Sequence, residues 1–71
     1  MTDIKKWFGN RVRELRKKKN WSQEDFSFEI DMARCYVAII EAGKQNIALT
    51  NVQKICNGLN VSISEFFKDF K

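Results

Sequence analysis

Apolar residues recur along this chain with the period of a helix, never with the alternation of a strand. Ile4, Phe8, Val12 and Leu15 stand at i, i+4, i+8 and i+11. This stripe predicts a first helix over residues 3–19, with Trp7 beside it. Its other face carries Arg11, Arg13, Arg16, Lys17, Lys18 and Lys19 with Glu14 as the lone acid. Read plainly, that is a solvated face whose cations sit well near a helix C-terminus. Asn20 can take the left-handed cap position that ends the helix.

A second helix is predicted over residues 22–30. Ser22 is a good N-cap, and Asp25 three residues on makes an acidic variant of the capping box. Trp21 before the cap and Phe26 after it can close as a hydrophobic staple. Phe26 and Ile30 share one face, while Phe28 projects away. Asp31 tolerates the left-handed conformation and should stop the helix. A third helix follows over residues 33–41. At about 100° per residue, Val37, Ile40 and Glu41 face one way, and Cys35, Ala38, Ile39 and Ala42 the other. Arg34 and Tyr36 lie on the flanks.

Gly43-Lys44-Gln45-Asn46 reads as a turn. Residues 48–58 predict a fourth helix, with Leu49, Val52, Ile55, Cys56 and Leu59 on one side. Gly58 and Asn60 punctuate its end. Ser62-Ile63-Ser64-Glu65 reads as a full capping box, with Val61 and Phe66 as a second staple. The fifth helix then runs to about residue 70 and carries Ile63, Phe66, Phe67 and Phe70. The expectation is an all-α fold of five helices, with residues 1–71 as a single domain.

Composition sharpens this. A chain of 71 residues buries only about 60% of its unfolded surface and is marginal alone, so a second subunit would add core. Proline is absent and 44% of residues are hydrophobic, as suits a compact bundle. Thirteen Lys and Arg against nine Asp and Glu give a net charge of +4, which favours a polyanionic partner. There is no histidine, and Cys35 and Cys56 do not form a C-x-x-C pair. No metal site and no cofactor are expected, and two free thiols suit a reducing cytoplasm. No apolar run can span a bilayer and no signal peptide is visible, so no membrane association is expected. Without a nucleophile–base pair or a phosphate-cradling glycine loop, no enzyme is expected.

Several features combine: Ser22-Gln23-Glu24 opening one helix, Phe26 and Ile30 on its inner face, Val37 and Ile40 in the next, then Glu41-Ala42-Gly43-Lys44-Gln45-Asn46. From about Phe8 to Phe67 the chain resembles the Cro/C1-like (XRE) helix-turn-helix family. The resemblance implies a five-helix, lambda-repressor-like DNA-binding domain with the helix-turn-helix at helices two and three. Within that family, Arg34-Cys35-Tyr36-Val37 and the turn after Glu41 look most like the controller proteins of restriction–modification systems.

The resemblance places the outward face of helix three in the major groove, its N-terminal part nearest the bases. It thereby assigns DNA contacts to Arg34, Cys35, Tyr36, Ala38 and Ile39. Arg suits bidentate bonding to guanine O6 and N7. Gln23 matches a phosphate-binding position at a helix N-terminus. Lys44, Gln45 and Asn46 match a turn that grips the backbone or reaches a groove. Arg16 and Glu41 match a structural ion pair. Ala33, Ala48 and Ile47 depart from the family, which often has a polar cap at the first two positions and proline at the third. The implied function is a sequence-specific transcriptional regulator acting as a homodimer on a double-stranded operator. Its interface would come from helices four and five, with Phe66 and Phe70, and RNA polymerase is a further candidate partner. The alternative is a protein-interaction module on the same fold, or another phage-like or antitoxin-like repressor.

Overall fold

The structure, a computed structural model, describes residues 3–70. It contains five helices: α1 (Ile4–Lys18), α2 (Gln23–Glu29), α3 (Arg34–Glu41), α4 (Leu49–Leu59) and α5 (Ile63–Phe67). No strand occurs among the described residues.

Local chemistry sets the helix ends. The Asp3 carboxylate accepts from the Lys5 amide at 3.0 Å and caps α1. Ser22 Oγ accepts from the Asp25 amide, and the Asp25 carboxylate accepts from the Ser22 amide, both at 3.0 Å. That reciprocal pair is the capping box, and Trp21 stacks on Phe26 beside it with ring centroids 6.0 Å apart. Asn20, Asp31 and Asn60 each adopt positive φ, at 60°, 54° and 59°, where the chain leaves a helix. Short polar side chains tolerate that conformation best after glycine.

Helix five departs from expectation. Ser62 Oγ caps it through the Glu65 amide at 3.0 Å. The Glu65 carboxylate, however, turns to Lys68 Nζ at 2.9 Å instead of returning to the cap. Only half of the expected box forms, and the helix ends at Phe67 rather than near residue 70.

The core joins Phe8 and Val12 of α1, Phe26 of α2 with Ile30 just after it, and Val37 and Ile40 of α3. Val52, Ile55, Cys56 and Leu59 of α4 and Phe66 of α5 complete it. Burial pushes the Cys56 thiol above its ordinary range, so it packs as a small apolar group. α1 and α2 both pack on α3, and α4 packs on α5. Two glycines permit close crossings. A Cβ on Gly9 would overlap the Ile40 carbonyl oxygen, and one on Gly58 would overlap Ile30 Cγ2.

Four residues sit differently from the sequence expectation. Leu49, expected inward, opens α4 in its first turn and is 85% exposed. Ile4, at the equivalent end of α1, is 52% exposed. Arg11, expected on the solvated face, is buried. Its Nε donates to the Phe66 carbonyl at 2.9 Å, one Nη to the Glu65 carbonyl at 3.0 Å and the other to Glu14 at 2.6 Å. Arg11 thus clamps α5 to α1 by filling carbonyls that the end of a helix leaves open. Phe66, expected at a subunit interface, has no exposed surface. It lies against Phe8, centroids 4.8 Å apart, and against Phe67 at 4.9 Å.

Candidate nucleic-acid interface

The candidate surface on α3 depends on what holds that helix in place. Val37 and Ile40 anchor it in the core. Its C-terminal end is fixed by Glu41, whose side chain is wholly buried. Arg16 from α1 meets that carboxylate twice, Nε to Oε2 at 2.7 Å and Nη2 to Oε1 at 2.9 Å. The other Arg16 Nη donates to the Trp21 carbonyl at 2.7 Å. Gln23 Nε2, at the start of α2, reaches Glu41 Oε1 at 3.1 Å. Burial alone would raise the Glu41 carboxyl. The hydrogen bonds from Arg16 and Gln23, with the Arg16 charge, outweigh it and hold the group below the usual carboxylate range. One buried anion therefore ties α1, the α2 start and the α3 end together.

This frame leaves one face of α3 free. Arg34 and Cys35 are exposed in its first turn, Ala38 is half-buried, and Ile39 and Ala42 are exposed beyond them. No side chain caps α3; Ala33 holds the extended N-cap conformation without one. Tyr36 is half-buried at the flank, where its hydroxyl accepts from Asn51 Nδ2 of α4 at 3.3 Å. After Glu41 the chain turns through Gly43 at φ 76°. Its amide returns to the Ile40 carbonyl at 3.0 Å, and the Lys44 amide to the Ile39 carbonyl at 3.3 Å. Lys44 and Asn46 are exposed, and Gln45 is half-buried with Nε2 donating to the Asn46 carbonyl at 3.3 Å.

Arg34, Cys35, Ala38 and Ile39 thus share a convex helix face with one guanidinium at its leading end. Such a face can offer a bidentate donor to a guanine and apolar contact to thymine methyls. Gln23 is committed by one N–H to Glu41, which leaves its second N–H and its carbonyl oxygen for another partner. Two residues join this region that the sequence pattern did not single out. Asn51 steadies Tyr36 across a separation of fifteen residues, which no helical periodicity encodes. Arg13 reaches toward Glu41 from α1, though in the sequence it is one more cation on a basic helix.

The expected interface residues Phe66 and Phe70 are not brought together at a surface. Phe66 is core, and Phe70 leans on Trp7 of its own chain with centroids 5.1 Å apart. What is exposed instead is a groove of about 470 Å³ between α1, α4 and α5. Ile4, Ile47, Leu49, Val52, Ile63 and Phe67 supply its apolar lining.

The helix-turn-helix family model HTH_3 matches residues 12–66. The control protein C.MunI of a Mycoplasma species is 47% identical over 72 aligned residues, spanning 100% of this chain and 97% of that protein. The solved restriction–modification controller C.AhdI of Aeromonas hydrophila superposes with a TM-score of 0.82 at 39% identity, covering 87% of this chain and 90% of that one. The controller C.Esp1396I, solved as a tetramer in complex with its natural 35-base-pair operator, gives 0.84 at 26% identity over 96% and 88% of the two chains.

Proposed function

The chain belongs to the helix-turn-helix family, and from that premise we propose that it is a sequence-specific transcriptional regulator binding duplex DNA as a homodimer. We assign it to the controllers of restriction–modification systems, working in the cytoplasm as one DNA-binding domain. The family is one of DNA-binding regulators, not of enzymes. Among the described residues, no helix is long and apolar enough to cross a membrane.

The observation that carries the reading is the free face of α3. A core-anchored helix presents Arg34 in its exposed first turn, Gln23 reaches its buried last residue, Glu41, and exposed Lys44 and Asn46 follow in the turn beyond. Arg34 reads a base edge. Cys35, Ala38 and Ile39 fill the groove around it, and Tyr36 and Lys44 meet the backbone. The second subunit covers the groove beside Leu49 and Ile63. C.Esp1396I, similar in fold, assembles on its operator as a tetramer, which supports self-association here.

The test is selection of duplexes from a random library by the purified protein, followed by titration at several salt concentrations. A recovered consensus with two related half-sites and an affinity that falls steeply with salt is the expected result. Absence of any salt-dependent duplex binding would overturn the reading and favour a protein-interaction module. A methyltransferase gene and an endonuclease gene beside this one would support the controller assignment.

A further inference from the structure

Glu41 has more donors than it needs. Its Oε1 faces Arg16 Nη2 at 2.9 Å, Gln23 Nε2 at 3.1 Å and Arg13 Nε at 3.5 Å. Its Oε2 takes Arg16 Nε at 2.7 Å. A carboxylate oxygen offers about two lone-pair sites, and Arg16 and Gln23 already occupy both on Oε1. Arg13 is third in line, beyond the usual range of a hydrogen bond of this type. Its second approach, Nη2 to the Glu41 carbonyl, is also 3.5 Å. The charges agree with the distances: Arg16 neutralises Glu41, which leaves the Arg13 charge in surplus. Its side chain is 45% exposed.

The position of that surplus cation gives it a use. Arg13 and Gln23 converge on the same carboxylate oxygen from two helices, so their side-chain ends are neighbours. Gln23 keeps a free N–H and Arg13 keeps most of its five. We propose that Arg13 and Gln23 together form a clamp for one DNA backbone phosphate, with Glu41 holding Arg13 ready until the phosphate displaces that weak contact. This rests on the DNA-binding reading above and adds α1 to the surfaces that touch the duplex. Leaving Glu41 costs Arg13 little, because no short hydrogen bond is broken and the buried anion stays satisfied. Arginine suits the task, since its planar fork can grip two phosphate oxygens at once.

The experiment uses the full chain, a labelled random-sequence duplex and a duplex recovered by the wild type from a random library. Arg13→Gln is expected to weaken both probes by the same factor. It should also lower the slope of log affinity against log salt by about one unit per protomer. Arg13→Lys should keep the slope while losing part of the affinity, since a point charge replaces a fork. The thermal midpoint of both variants should stay with the wild type, because Arg16 and Gln23 keep Glu41 satisfied. Unchanged affinity and slope in Arg13→Gln, with the wild type binding normally, would overturn the clamp alone. So would a drop in thermal midpoint accounting for the loss, which would make Arg13 a stabilising partner of Glu41. Failure of the wild type to bind either duplex would overturn the DNA-binding reading itself.

Discussion

At the scale of single residues, the proposed function gives Arg34 and Lys44 different work. Arg34 is the one long donor on the outer half of α3, and its alanine variant is expected to cost about 1–3 kcal/mol and relax preference at one base position per half-site. Lys44→Ala should instead weaken all sequences alike and flatten the salt dependence by about one unit. Titrating both variants against a set of operator mutants separates the roles, and a uniform loss for Arg34→Ala would move Arg34 to the backbone. Arg16 and Glu41 act on stability. Both are buried and joined by two short bonds, so removing one partner strands the other charge. Arg16→Met is expected to lose about 3–5 kcal/mol in urea unfolding, and a loss within about 0.5 kcal/mol would mark an ordinary surface residue. The pH dependence follows in sign. Glu41 is held below its ordinary range by its donors, so the folded state favours the ionised form. That stabilisation is full above the unfolded value, about 4.3 for glutamate, and is lost as pH falls through the lower folded value. Glu14, Glu65 and Asp25 are also held low and add to the acid loss. Glu41→Gln should therefore remove one proton's share of the acid limb without abolishing it. The pair was legible in the sequence only through the family resemblance. Arg11 was not legible, because nothing in a run of cations marks which one turns inward.

Helix ends explain both the reach and the shortfall of sequence reading at the scale of elements. Ser22 with Asp25, and Asn20, Asp31 and Asn60 with positive φ, are local signals, and they place the ends of α1, α2 and α4 within a residue or two. The apolar periodicity likewise identifies most of the core, from Phe8 and Val12 to Leu59. It misplaces Leu49 and Ile4 because a residue in a first turn keeps the helical phase while lying past the edge of the packed surface. It overextends α5 at the C-terminal end, where the chain leaves the helix after Phe67 and the Phe70 amide turns back to the Phe67 carbonyl. At the other end it expects a box that stays open because the Glu65 carboxylate meets Lys68. α3 and α4 begin without any side-chain cap, at Ala33 and Ala48. Both hold the extended N-cap backbone, φ −64° and ψ 140° for Ala33 and φ −65° and ψ 147° for Ala48. A serine hydroxyl there could bond a free first-turn amide. Ala48→Ser is expected to raise stability by about 1 kcal/mol, read as a higher denaturant midpoint at unchanged slope. No gain would mean that the first turn of α4 is already satisfied by solvent. Ala33→Ser should gain similarly, but beside Arg34 it also offers a new donor to DNA, so Ala48 is the cleaner site.

The whole molecule combines a net charge of +4 with an exposed apolar groove. Its apolar side is the groove bordered by Leu49, Ile63 and Ile4, with Ile63 49% exposed and Leu49 more so. Isolated exposed leucines need no explanation, but a contiguous apolar groove on so small a domain points to a partner. A second copy related by a two-fold axis would bury the same residues on both sides. The two α3 helices would then lie about 34 Å apart, one turn of DNA, and read half-sites on one face of the duplex. Leu49→Glu tests this with little risk to the fold, since the side chain has almost no intramolecular packing to lose. The variant is expected to stay folded, with a stability change within about 0.5 kcal/mol, and to sediment as a monomer where the wild type is a dimer. Its affinity for a two-half-site duplex should fall by about 10²–10⁴-fold, because the second half-site is no longer engaged by a linked subunit. Its affinity for a single half-site should barely change, which separates lost assembly from lost recognition. Inserting about 5 base pairs between half-sites, half a turn of the duplex, should weaken the wild type and leave the monomeric variant unaffected. If Leu49→Glu still sediments as a dimer, the seam lies elsewhere. The groove would then be left for a different partner, and Phe70 and Trp7 would become the next surface to change.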